Sequence, residues 1–316
     1  MGAIALGVDI GGTKLLVAAV GSDGTILARE RLTSPRGAPD DLVARITEAA
    51  TKLGPGLPVG VGVAGIVSRD GVVRYGPNLN IRDLDLQGRL MRDLEVPVVV
   101  RNDATVALYG ELHAGAARGA RDAVMLTLGT GVGGGVVAEG RLVEGTNGMA
   151  GEFGHLTVDD GGRRCGCGGR GHLEAYASGS AIGRRAQELL NETDEASRLR
   201  AVDVVDGEAV SSTAADGDEL ALRVLREGGY WLGVGLTSIC NALDPETILI
   251  GGGASASAAR FLVPVAVEIL GERILGAGHR PVPPVVTAQL GDDAGAIGSA
   301  LLVNGKIGGS EEDGAA

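Results

Sequence analysis

The chain has 316 residues, 44% of them hydrophobic and 22% charged, which gives room for two domains with substantial cores. A formal net charge of −12 without any basic run excludes a nucleic-acid backbone as the main partner, because such binding needs clustered cations that release counterions. No apolar stretch approaches a membrane span, and the start MGAIALGVDIGGT lacks the basic segment and long apolar run of a secretory signal. The expectation is a soluble, cytoplasmic protein with no membrane partner.

Residues 3–31 read as three strands joined by two turns, with Asp23-Gly24 as the hairpin signal of the second. At the first, Asp9 ends a buried strand. Gly11, Gly12 and Thr13, followed by Lys14, then make a tight bend whose amides and hydroxyl can approach a phosphate closely. Because a strand follows it, this is neither a P-loop nor a GxGxxG turn, and a plain hairpin is the competing reading. A helix is predicted over 39–53, a glycine-studded strand over 59–67, a loop around Tyr75, Pro77 and Asn78, and a helix over 86–94. A buried strand from Pro97 then ends in Arg101-Asn102-Asp103. A carboxylate at that edge lies where ligands bind in open α/β sheets. The plainer reading is that Asn102 and Asp103 cap the helix predicted over 104–114.

The polar stretch RGARD at 118–122 marks the expected boundary between a domain of 1–118 and a second of 119–290. A strand over 123–137 repeats the opening logic. Here Thr127, Thr130 and the turn from Gly129 to Gly135, with Gly131 and Gly133, make a second candidate phosphate cradle. Residues 178–229 read as helical, including a surface helix from Gly217 to Glu227; 231–243 reads as a separate buried helix that makes Cys240 a core thiol. A third strand over 246–253 ends in Gly252 and Gly253, where a flat ligand such as adenine can lie on bare backbone. A helix is predicted over 291–303, and 304–316 is expected to be disordered. Three strand-then-glycine turns in two halves fit a nucleotide held between two α/β domains.

Two of the three cysteines and two of the four histidines fall between residues 152 and 174. His155, Cys165, Cys167 and His172, with a glycine-rich stretch among them, suit a closed tetrahedral zinc site that leaves no position for a catalytic water. The competing reading is an idle, reduced Cys-X-Cys pair beside a solvated His172. Glu152, His155 and Glu174 lie at or beside this cluster, so fixing the loop also fixes two carboxylates.

From GVDIGGTK through RNDA, LGTGVGGG, GEFGH and CGCGGRGHLE to ILIGGG and GDDAGAIGSA, nearly the whole chain resembles the sugar kinases of the ROK (repressor, open reading frame, kinase) family, most closely its glucokinases. The resemblance implies an α/β, actin-like ATPase fold of two ribonuclease-H-like domains around a cleft, with the helix at 291–303 returning to the first. It implies a homodimer or homotetramer that uses ATP and Mg²⁺ to phosphorylate the 6-hydroxyl of glucose, and a structural Zn²⁺. In that reading Asp103 is the catalytic base. Gly65, Asn78, Asn102, Glu152, His155 and Glu174 match sugar-binding groups. Gly11, Gly12, Thr13, Thr130 and Gly131 match the phosphate turns, Gly252 and Gly253 the adenosine site, and Asp9 lies near Mg²⁺.

Two departures are visible. His172 stands where the family usually has a third cysteine, and Ala64-Gly65 where it often has Pro-Gly. The family also contains N-acetylhexosamine kinases, fructokinases and sugar-responsive repressors. The repressors carry an N-terminal helix-turn-helix, whereas this chain opens on the first strand.

Overall fold

The computed structural model describes residues 2–252 and 256–308. The chain forms two compact units, one of Met1–Arg121, Gly135–Gly151 and Ala288–Ala316, the other of Asp122–Gly134 and Glu152–Thr287.

The first unit is built on a five-stranded sheet of order β3-β2-β1-β4-β8, made of β1 (Ala5–Ile10), β2 (Lys14–Val20), β3 (Ile26–Thr33), β4 (Val59–Val63) and β8 (Val98–Asn102). Strands β1 to β3 form an antiparallel meander, while β1, β4 and β8 run parallel. In register, Ile10 pairs with Val63 and Val63 with Asn102, so three parallel strands end on one edge. A glycine in each of β1 and β4 lets a helix approach closely. A Cβ on Gly7 or Gly60 would stand 1.8 Å from a carbonyl oxygen of α9 (Ala294–Gly308). That helix runs five residues into the segment expected to be disordered; 309–316 lie outside the described residues.

The helix α1 (Pro39–Leu53) has the predicted bounds, with Pro39 at its start, Asp40 and Asp41 in its first turn and Lys52 in its last. So does α2 (Leu86–Leu94), whose cap Asp85 accepts from the Gly88 N–H at 2.8 Å. The helix α3 (Asp103–Ala114) follows β8 directly. The strand predicted over 59–67 breaks at Gly65, whose φ of 156° suits glycine alone, and resumes as β5 (Ile66–Val67). What read as a loop around Tyr75 is a hairpin of β6 (Val72–Gly76) and β7 (Ile81–Asp85), which with β5 forms a small sheet.

The second sheet has the order β11-β10-β9-β12-β13, from β9 (Ala123–Leu128), β10 (Val132–Ala138), β11 (Arg141–Leu142), β12 (Thr247–Gly251) and β13 (Val285–Thr287). Gly133 therefore lies inside β10 and not in the turn, which is confined to 129–131. The helices of the second unit are α4 (Glu174–Ala177), α5 (Gly179–Glu192), α6 (Gly207–Ala215), α7 (Glu219–Leu243) and α8 (Ala256–Arg273). The two helices expected over 217–243 are one, α7, because Gly229 and Gly233 serve close packing on α8 instead of breaking the helix. Cys240 is fully buried in it.

Candidate functional site

In the first unit the strand ends gather Asp9, Gly65, Asn102 and Asp103. Asn102 uses both ends of its amide: Oδ1 accepts from the Thr105 N–H at 3.0 Å and caps α3, and Nδ2 donates to the Gly65 carbonyl at 3.2 Å. Asp103 occupies the first turn of α3, with Oδ1 accepting from the Ala104 N–H at 2.9 Å. Burial pushes its carboxyl above the ordinary range against the pull of that bond and of Asn102. Asp9 lies against bare backbone at the start of α9, where a Cβ on Gly295 would stand 2.8 Å from its carboxyl. Burial first, then the nearby charges of Asp103 and Asp292, raise its pKa to about 7. Carboxyls so placed resist ionising together, and a divalent cation relieves that conflict, so their chemistry fits Mg²⁺.

The 11–14 bend is closed by one internal bond and fastened from outside by Ser34. Gly11 N–H donates to the Lys14 carbonyl at 2.9 Å, Ser34 Oγ to the Gly11 carbonyl at 2.7 Å, and Ser34 N–H to the Thr13 carbonyl at 3.2 Å. Thr13 and Lys14 are exposed above it. Asn78 is brought beside Gly12, where an added Cβ would meet its Cβ at 3.0 Å, and its carbonyl accepts from Arg36 Nε at 2.9 Å. Ser34 and Arg36 were not legible as site residues; the sole hint was their place in a polar turn after β3.

The second unit holds the other candidates. The 129–131 turn closes on itself through Gly129 N–H to the Gly131 carbonyl at 2.9 Å, with Thr130 exposed at its tip. Beside it opens a cavity of about 170 Å³, lined by Gly129, Thr130, Ile182, Gly207, Glu208 and Leu262 among others. Nothing in the sequence pointed to the residues from α5, α6 and α8. Gly252 reaches the end of β9 with φ of 104°, a Cβ there falling 2.2 Å from the Leu128 carbonyl oxygen. Gly253 lies outside the described residues. Glu152 precedes a single 3-10 turn, Phe153–His155, and Glu174 opens α4.

His155, Cys165, Cys167 and His172 bring one ligand atom each to within 4.8 Å of all the others. His155 Nδ1 is 3.8 Å from Cys165 Sγ, and His172 Nδ1 is 3.2 Å from Cys167 Sγ. Two sulfurs and two imidazole nitrogens at such separations fit a tetrahedral zinc ion. Burial, with the Cys167 side chain and the Glu174 carboxylate adding to it against the pull of the Cys167 backbone N–H, pushes the Cys165 thiol up to about 12. A bare thiolate is costly there, which is a further reason for a cation.

A model of the ROK family matches residues 5–306. The chain belongs to the ROK family. It is 36% identical over 309 residues to the glucokinase of Streptomyces coelicolor, an alignment covering 95% of this chain and 97% of that protein. It is 34% identical to the N-acetylmannosamine kinase of Citrobacter koseri over 95% of this chain and 98% of the kinase. To the xylose repressor of Bacillus subtilis it is 30% identical, over 94% of this chain and 76% of the repressor. The crystal structure of a ROK family glucokinase from Streptomyces griseus, in complex with glucose and AMPPNP, superposes with a TM-score of 0.82 at 36% identity, covering 94% of this chain and 98% of that one. The fold is the actin-like ATPase fold of ROK sugar kinases. No described helix is long and apolar enough to cross a membrane.

Proposed function

We propose that this ROK protein is an ATP-dependent hexose kinase that phosphorylates the 6-hydroxyl of glucose. The observation that carries the reading is Asp103: a buried carboxyl at a sheet edge, raised in pKa by burial, with Oδ1 held by the Ala104 N–H and Asn102 beside it. Phosphoryl transfer to an alcohol needs positioning, charge neutralisation and an acceptor for the hydroxyl proton. Asp103 takes that proton as the sugar oxygen attacks the terminal phosphorus of ATP.

An uncharged hexose is oriented through its hydroxyls, by Gly65, Asn78, Asn102, Glu152, His155 and Glu174. The turns at Gly11–Lys14 and at Thr130 and Gly131 offer backbone amides to the phosphates. A cavity of about 170 Å³ with Ile182 and Leu262 in its wall suits a flat base, which favours a nucleotide donor over polyphosphate. Bound near Asp9, Mg²⁺ would supply charge neutralisation at the phosphates. Zinc held by His155, Cys165, Cys167 and His172 would brace the loop that carries the sugar-binding side chains. The same reading carries a homodimer or homotetramer acting in the cytoplasm, with glucose as its small-molecule partner.

The test is kcat/KM for glucose, N-acetylglucosamine, N-acetylmannosamine and fructose, each with ATP and with polyphosphate. Glucose with ATP is expected to lead. A lead for N-acetylmannosamine would move the protein to the activity of its 34%-identical relative, and no transfer to any hexose would defeat the kinase reading.

A further inference from the structure

One side chain joins the metal cluster to the 129–131 turn and the first residue of β10. Glu174 Oε2 accepts from the Val132 N–H at 3.1 Å, and its Oε1 lies 3.4 Å from Cys165 Sγ, which can donate to it only while the thiol keeps its proton. The same carboxylate fills the space over Gly131, where a Cβ would stand 2.4 Å from Oε2. Two further segments grip the turn elsewhere, the start of α5 and the residue before His155. Gly179 N–H donates to the Gly129 carbonyl at 2.8 Å, and a Cβ on Gly154, next to His155, would fall 2.2 Å from the Val132 carbonyl oxygen. Glu174 in turn depends on the cluster for its place. Ala175 N–H donates to the His172 carbonyl at 2.9 Å, and Cys165 packs with Ala175 and Tyr176 in one small apolar cluster. The turn itself is glycine-rich and closed by a single internal bond, Gly129 N–H to the Gly131 carbonyl, so much of its order rests on these outside holds.

We propose that Glu174 is a positioning residue for the phosphate donor, transmitting the order of the metal cluster to the 129–131 turn so that metal occupancy sets nucleotide affinity. The inference rests on the reading of that turn as donor-binding. A turn held in place binds phosphate without an ordering cost, and a released turn must be ordered at the moment of binding. Zinc therefore acts on the donor as well as on the sugar-binding loop.

The experiment is ADP binding by calorimetry in sugar-free protein, together with hydrogen exchange of the peptide spanning 128–132. Chelator-stripped wild type is expected to bind ADP about tenfold more weakly than zinc-loaded protein, with faster exchange in that peptide. Zinc-loaded Glu174→Ala should show the same two changes. Glu174→Gln, whose amide oxygen can still accept from Val132, should stay within about twofold of wild type. If stripping unfolds the protein, the two zinc-loaded variants decide alone. ADP affinity and exchange unmoved in Glu174→Ala, or a metal-free protein that binds ADP as tightly as the loaded one, would overturn the inference and leave the kinase reading intact. Absence of ADP binding to zinc-loaded wild type would overturn both.

Discussion

Arg101 and Glu144, with side chains only 9% and 11% exposed, form an ion pair that ties the end of β8 to the loop after β11. Arg101 Nη1 also donates to the Val100 carbonyl at 2.7 Å, so the residue just before Asn102 and Asp103 is held from two sides. Removing one partner of a buried pair typically costs about 3–5 kcal/mol, whereas replacing both by apolar groups is often neutral; when Arg101 is removed, Arg69 stays beside the Glu144 carboxylate at 3.9 Å and softens the loss. Arg101→Leu and Glu144→Leu should each lower unfolding free energy by that order, and the double variant by much less than their sum. Denaturant titrations of all four proteins measure the coupling, and simple additivity would show that the pair does not act as a unit.

Much of this arrangement was readable in the residues. Pro39 and the paired aspartates gave α1 its start, Asn102 gave α3 its cap, and the strand-then-glycine turns at Asp9 and Thr130 stand where they were expected. Interactions between distant segments were not readable. Nothing local in Glu144 marks it as the partner of Arg101, and Asp292 is far in sequence from the Asp9 whose pKa it helps to raise. The hairpin β6–β7 was hidden because Pro77 and Asn78 at its tip outweighed the short strands either side. Pro264 stands inside α8 and obscured that helix. The pairing of Gly229 and Gly233 with α8 is a packing feature, and glycine alone reads as a break.

Asp9 makes stability depend on pH. Its folded-state pKa is raised from 3.8 to about 7, so the folded protein keeps a proton that the unfolded chain releases between those values. The stabilisation is complete below pH 3.8 and is lost as pH rises through about 7. At about 1.4 kcal/mol per pH unit, the ionised form costs on the order of 4 kcal/mol at pH 8. Asp9→Asn should therefore raise Tm at pH 8, with a gain that shrinks towards pH 4, while KM for MgATP rises. Equal Tm differences at pH 4.5 and 8 would mean that the Asp9 charge is not the cause.

Asp103→Asn separates fold from chemistry. The amide oxygen can still accept from the Ala104 N–H, so the fold and the dissociation constant for glucose should hold, while kcat falls at least about a hundredfold with loss of the proton acceptor. A kcat within a few-fold of wild type would remove Asp103 as the base.

The metal cluster yields the last expectation, one zinc per chain with His172 as a true ligand. His172 Nδ1 lies 3.2 Å from Cys167 Sγ, and imidazole is an ordinary zinc ligand. Two thiolates leave the loaded site neutral, whereas a third would make it anionic and strengthen its hold on the cation. In competition with a chelator at fixed pH, His172→Cys should hold zinc more tightly than wild type and His172→Ala much less. The chain carries its own reporter for this: Trp231, its single tryptophan, stacks on Tyr176 at 4.6 Å between ring centroids, and both pack with Cys165. Tryptophan emission should therefore shift as zinc leaves, at lower chelator concentration in His172→Ala than in wild type and at higher in His172→Cys. Full zinc occupancy and an unshifted titration in His172→Ala would exclude His172 from the site, and wild type that purifies folded, active and without zinc would exclude the metal.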